Sequence, residues 1–172
     1  DDGDKRAPSI AEALDRVGLA DGMVVSTHHH LRNGDAVANI VFDAAAALGR
    51  RALMWFPSAS FPVHANQIAH LDNGVIHHIE GSMNGPLGAY CSEGKMRGLG
   101  VLRSHGGRWQ AIQDGEVHID VAVIAAPTAD PFGNANGLAG PAACGLLGFA
   151  LADSIYAERV VVVTDNLEPF PC

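Results

Sequence analysis

The strongest constraint on the fold is the run at residues 119–126, Ile-Asp-Val-Ala-Val-Ile-Ala-Ala, where apolar residues follow one another almost without interruption. A strand with one wet face alternates polar and apolar residues, so an unbroken run predicts a strand covered on both faces. Val160, Val161, Val162 and Val163 repeat the pattern and read the same way. Strands of this kind belong to parallel sheets, whose crossover connections lay helices over both faces.

The rest of the chain supplies the other pieces in alternation. Ser9 with Glu12 three residues on forms a capping box, and Ile10, Ala13, Leu14 and Val17 make the apolar stripe of a helix ending at Gly18. Met23, Val24 and Val25 read as a short buried strand. A helix then follows on Val37, Ile40, Val41, Ala44, Ala45 and Leu48, with Asp35 as N-cap and Gly49 as stop. Further strands are expected at 52–56, stopped by Pro57, at 75–79 and at 101–105. Helices are expected at 62–71, after Gly106-Gly107-Arg108-Trp109 as far as Gly115, and at 149–157. Residues 81–100, with six glycines and Pro86, read as an irregular, mobile flap. The expectation is a single α/β domain, a mostly parallel sheet covered by helices.

Composition narrows the function. With 48% hydrophobic and 17% charged residues over 172 positions, the chain can bury a large core. Nineteen acidic against eleven basic side chains leave no basic field for nucleic acid. Cys91, Cys144 and Cys172 share no metal-ligand spacing and suggest no disulfide framework, which fits a reducing cytoplasm. Cys144 reads as small-residue packing. No apolar run approaches the roughly 20 residues that span a bilayer, so no membrane is expected, and Asp1-Asp2-Gly3-Asp4 is not a signal peptide. The missing initiator Met and the abrupt end at Pro171-Cys172 are expected of a piece of a longer chain.

Polar residues of the first third concentrate in one turn, Ser26-Thr27-His28-His29-His30-Leu31-Arg32-Asn33-Gly34-Asp35, between a strand and a helix. Open α/β sheets hold anionic ligands at such strand ends and helix N-termini. His28 and His30 on one strand face, with His105 or His64 as third ligand, would suit zinc; no HExxH or Cys-pair spacing accompanies them, and no metal is expected. Capping or packing imidazoles are a second reading, and donation to a ligand carboxylate the favoured one. Arg32 beside Asn33 and Gly34 is either a solvated turn or a bidentate fork for carboxylate or phosphate. Ser104-His105-Gly106-Gly107-Arg108 repeats the design, so the two loops are expected to converge on one crevice. Gly133-Asn134-Ala135-Asn136-Gly137 is either a set of tight turns or a nest of N–H groups for an oxyanion. The GxGxxG dinucleotide fingerprint is absent.

Taken together, these segments resemble the α subunit family of citrate lyase, its citrate CoA-transferase component. The resemblance lies in THHHLRNGD at 27–35, SHGGR at 104–108, HIDVAVIAAPTAD at 118–130, GNANG at 133–137, ACG at 143–145 and TDN at 164–166. It implies a CoA-transferase type α/β fold in which two similar halves of a longer chain form the site, this sequence being the first. It also implies an enzyme that exchanges acetyl for citrate on a thioester. The partners implied are citrate, an acyl carrier protein bearing a CoA-like phosphoribosyl-dephospho-CoA group, the lyase subunits, and an oligomeric assembly. Under it, His28, His29, His30, Arg32, Asn33, Gly34, Asp35, His105 and Arg108 bind substrate. The backbones of Gly106, Gly107, Asn134, Ala135, Asn136 and Gly137 donate to oxyanions. The sequence departs from the family where a basic RGK-like segment gives way to Asn84-Gly85-Pro86-Leu87-Gly88, and a GKS-like one to Gly140-Pro141-Ala142, so the carrier's arm is expected either to bind more weakly or to use Lys95 and Arg97 as substitute cations. A CoA-transferase of other acyl specificity and a non-catalytic assembly half-domain are the alternatives.

Overall fold

The computed structural model describes residues 3–28 and 33–172. In chain order its elements are α1 (Ile10–Arg16), β1 (Val24–Thr27), α2 (Val37–Ala47), β2 (Leu53–Pro57), a 3-10 turn (Pro62–His64), α3 (Gln67–Asn73), β3 (Ile76–Ile79) and α4 (Gly85–Ser92). Then follow α5 (His105–Gln113), β4 (Val121–Ala125), β5 (Thr128–Ala129), β6 (Ala135–Asn136), α6 (Phe149–Tyr156) and β7 (Arg159–Val163). Five strands form one parallel sheet in the order β3-β2-β1-β4-β7, and β5 and β6 make a small antiparallel pair beside it. The chain therefore runs outward one way from β1 through β2 to β3, and the other way through β4 to β7. The direction reverses between β1 and β4, the switch point where sheets of this type open a crevice beyond the strand C-termini.

Side-chain alternation divides the core. Val25, Trp55, Val121 and Val123 pack on one face against Leu14 of α1 and Phe42 of α2. Met54, Phe56 and Ala122 pack on the other against Ala111 and Ile112 of α5, and Ile124 packs against Ala150 of α6. Trp55 is fully buried, edge-on to Phe42 at 5.6 Å, and its Nε1–H donates to Thr27 Oγ1 at 2.9 Å, so the one polar atom of the largest core ring is satisfied. Ser9 caps α1 as expected, its Oγ accepting the Glu12 N–H at 3.2 Å, but the reciprocal half of the capping box does not form, because the Glu12 carboxylate pairs with Arg16 instead.

Several expectations are corrected. The N-cap of α2 is Ala36; Asp35 lies one residue earlier and accepts the Val37 N–H on Oδ1 at 2.9 Å, capping the helix from outside. Pro57 is the last residue of β2 rather than its stop. The expected helix over 62–71 is split into the 3-10 turn and α3. No strand occupies 101–105: Val101 alone bridges Glu80, extending the β3 edge, and Ser104 already caps α5. Residues 81–100 contain α4. β7 is also no two-face-buried strand, because it lies at the sheet edge, with Val160 37% exposed.

Candidate functional site

The loop that follows β1 and the segment that follows β4 flank the switch point. Extended one residue past β1, side-chain alternation places His28 on the α5/α6 face, where it is buried. Asn33 is exposed, and Gly34 and Asp35 are half-buried. His29, His30 and Arg32, the core of the expected substrate loop, lie outside the described residues.

What holds the far side of this loop has no signature in the sequence. Gly34 has φ +82°, and a Cβ there would lie 3.0 Å from Val63, 3.1 Å from His64 and 3.1 Å from Phe61. His64 Nδ1 accepts the Phe61 N–H at 3.0 Å, which leaves Nε2–H to donate to the Asp35 carbonyl at 2.8 Å. His64, a candidate zinc ligand by sequence, thus braces the loop against the 3-10 turn.

The double-glycine segment forms the N-terminus of α5. Ser104 Oγ accepts the Gly107 N–H at 3.1 Å, so that donor is committed to the cap. Gly106 is exposed, with nothing within 4 Å of where a Cβ would stand, and its N–H meets no hydrogen-bond acceptor among the described residues. His105 is exposed and stacks on Phe149 of α6 with ring centroids 5.6 Å apart.

Arg108 corrects its expected role. Its side chain is 1% exposed and forms a two-pronged pair with Asp153 of α6, at 2.8 and 2.9 Å, while Nη2 also donates to the Phe56 carbonyl at 3.1 Å. Its guanidinium lies 4.4 Å from the Phe56 ring centroid and 4.9 Å from that of Phe149. Ser26 Oγ donates to the same Asp153 carboxylate. A cation so enclosed does not face a dissolved substrate; it ties α5 and α6 to the C-terminal ends of β1 and β2. Asp153 was missed by sequence reasoning, though a lone carboxylate inside the apolar run Phe149-Ala-Leu-Ala-Asp-Ser-Ile-Tyr156 was the available signal.

The asparagine-rich segment is a stitched hairpin. Asp130 accepts the Phe132 N–H at 2.9 Å, the Asn134 N–H at 3.2 Å and Asn134 Nδ2 at 2.9 Å. Burial pushes the Asp130 carboxyl up, but these bonds and one from the Cys172 N–H outweigh it and hold the carboxyl below its usual range. The Asn134 N–H is therefore not a free oxyanion donor. Asn136 Oδ1 accepts the Leu138 and Ala139 N–H groups, and the Gly137 carbonyl accepts those of Cys144 and Gly145, each at 2.9 Å. A Cβ on Gly137 would sit 1.9 Å from the Gly145 carbonyl oxygen, so the turn requires glycine. Cys144, expected to pack, is exposed.

Between this hairpin, α5, α6 and β7 lies a cavity of about 620 Å³, lined by Trp109, Ile124, Asn136, Gly137, Leu147 and Leu151 among others. The double-glycine helix and the asparagine-rich hairpin thus meet at one largely apolar hollow. The substitute cations are occupied locally, Lys95 by Glu93 at 2.5 Å and Arg97 by the Asp72 carbonyl at 2.8 Å.

This geometry has close counterparts among known proteins. Residues 3–172 match the family model of the citrate lyase alpha subunit (CitF). The chain belongs to the citrate lyase alpha subunit family. It is 42% identical to the citrate lyase alpha chain of Escherichia coli K12 and 40% identical to that of Haemophilus influenzae, over 97% of its own length in each case. It spans about a third of the length of these curated relatives, 33% and 34% respectively. Among solved structures it resembles the alpha subunit of citrate lyase from Streptococcus mutans in complex with citrate, with TM-score 0.96 and 45% identity, covering 99% of this chain and 34% of that one. An acyl-CoA transferase from E. coli O157:H7 shares the fold at TM-score 0.64 and 12% identity, covering 95% of this chain and 42% of that one. The fold is accordingly the α/β fold of the CoA-transferases.

Proposed function

We propose that this chain is the first part of a citrate CoA-transferase, which exchanges the acetyl group of a carrier-bound thioester for citrate and releases acetate. The thioester's carrier is an acyl carrier protein with a CoA-like phosphoribosyl-dephospho-CoA arm. In the reaction a citrate carboxylate attacks the thioester carbonyl, giving a mixed anhydride and a thiolate. The thiolate then attacks the citryl carbonyl and expels acetate. Both steps need cationic or N–H donors for a polyanion and for the oxyanions that develop. The observation that carries the reading is that Thr27 ends β1 and His28 follows it at the β1/β4 switch point, while Asn33, Gly34 and Asp35 lead into α2, so the two described ends of the THHHLRNGD motif flank it, in a chain whose citrate lyase relatives match 97% of its length.

In this reading His28, His29, His30 and Arg32 receive the citrate carboxylates, with Asn33, Gly34 and Asp35 shaping the loop. Gly106 offers its N–H from α5, and His105 lines the same end. Arg108 acts from below by fixing the strand ends. Of the asparagine-rich residues, Ala135, Asn136 and Gly137 border the hollow. Its apolar lining suits a thioester arm better than the arm's phosphates, for which Trp109, Leu147 and Leu151 offer no cation. The same apolar side, with Leu138 78% and Leu146 94% exposed, suits packing against the second half of a two-part chain, and the lyase subunits complete the assembly. The reading sets the exchange in the cytoplasm. No helix among the described residues is long and apolar enough to cross a membrane.

The test is citrate binding followed by thermal denaturation in the full chain. Citrate at a hundred times its dissociation constant should add about 2.7 kcal/mol, and Arg32→Ala should remove that gain. No stabilisation by citrate, with stabilisation by another acyl acid, would turn the assignment to a different CoA-transferase.

A further inference from the structure

We propose that Met83, Cys91 and Met96 form a binding site for a soft monovalent metal ion, Cu(I), separate from the acyl-exchange site. The three lie within the glycine-rich stretch that reads in sequence as an irregular flap. Met83 precedes α4, Cys91 sits in its last turn, and Met96 follows three residues after Glu93 caps that helix. Because α4 folds the stretch back on itself, Cys91 Sγ comes to 3.3 Å from Met83 Sδ and 3.8 Å from Met96 Sδ. In a three-sulfur site with metal–sulfur bonds of about 2.3 Å, neighbouring sulfurs stand about 4 Å apart, and each Cys91–methionine separation lies within about 1 Å of that.

Ligand chemistry selects the ion. One thiol and two thioethers are soft donors with a total charge of at most minus one, which suits Cu(I) and leaves a hard dication undersupplied. Gly100 helps to make room: a Cβ there would lie 2.9 Å from Met96 Cε and 3.2 Å from Met83 Cε. All three sulfur side chains are half-buried, and the exposed residues Leu99 and Gly100 lie alongside, so the cluster is sheltered yet close to solvent. Burial pushes the Cys91 thiol up, which keeps it protonated before metal arrives. Binding then exchanges one proton for one ion: the Cys91 S–H bond breaks, an S–Cu bond forms, the proton leaves to water, and no electron is transferred. Plain core packing would also gather methionines against a cysteine. It predicts no metal affinity at all, and the two cases part on that point.

The experiment titrates the full chain with Cu(I) under anaerobic conditions against a coloured Cu(I) chelator. One ion per chain is expected, with affinity rising about tenfold per pH unit as the released proton is taken up. Cys91→Ser should abolish the site, and Met83→Leu and Met96→Leu, which keep shape and volume, should each weaken it by more than the roughly tenfold that losing even an outer partner costs. Cys144→Ser and Cys172→Ser should leave it unchanged. X-ray absorption should find sulfur neighbours only. Retention of the ion by folded Cys91→Ser, equal affinity in both leucine variants, or nitrogen and oxygen neighbours would each overturn the proposal. None of these results depends on whether the chain binds citrate.

Discussion

Two turns written alike in the sequence are built in opposite ways. Near β1, Asn33-Gly34-Asp35 is clamped from outside, with Gly34 at φ +82° pressed against Phe61, Val63 and His64. At α5, Ser104-His105-Gly106-Gly107-Arg108 stands open above Gly106, while its arginine turns inward to Asp153. A polar residue, a glycine and an arginine ahead of a helix therefore do not by themselves make the arginine face a ligand. At α5 the deciding factor is the buried counter-charge beneath the helix. Where Asp153 stands, arginine becomes an internal strut, and the ligand-facing work passes to backbone and neighbouring side chains.

The difference can be broken most severely at the strut. Arg108→Ala leaves Asp153 buried without a counter-charge, and should cost about 3–5 kcal/mol in chemical denaturation. Replacing both partners by apolar residues of similar volume should recover much of that loss, because it is the orphaned charge that is expensive. A loss below about 1 kcal/mol for Arg108→Ala, the range of an exposed ion pair, would place the guanidinium in solvent. At the clamped turn, Gly34→Ala combines a left-handed backbone with three close contacts. It should cost about 1–3 kcal/mol and weaken citrate binding, read by denaturation and calorimetry. The open turn predicts the opposite sign. Gly106→Ala meets no neighbour within the first turn of α5 and should stabilise by up to about 1 kcal/mol, seen as a raised melting temperature.

The smallest effect concerns the hairpin near the hollow. Because Asp130 titrates below its ordinary 3.8 in the folded chain, its bonds stabilise the protein above that pH and lose their contribution as pH falls through the folded value. Melting curves of Asp130→Asn should therefore fall below those of the parent chain near neutrality and converge with them in acid. Parallel curves at every pH would deny Asp130 this role.

The sheet was largely readable because its signals are local. The apolar run ending at Ala126 and the Ser9 cap each carry their reason within a few residues. β7 misled for a physical reason: four valines state that both faces are apolar, but not whether anything pairs with the outer edge. α4 was hidden because Gly85, Gly88 and Pro86 weaken helix propensity, and Leu87 and Tyr90 recover the helix only through burial against the core. The candidate site was legible as a set of loops and not as a set of roles. Arg108 meets Asp153 from 45 positions away, Ser26 meets it from 127, and His64 reaches Asp35 from 29. No spacing rule links residues so far apart, and only the packed sheet brings them together.

β7 has a practical consequence for anyone preparing this polypeptide by itself. Its outer rim pairs with no strand among the described residues and carries the partly exposed Val160, a surface onto which another copy can add a strand. Self-association should grow steeply with concentration, and the tendency should vanish once a neighbouring element roofs that rim.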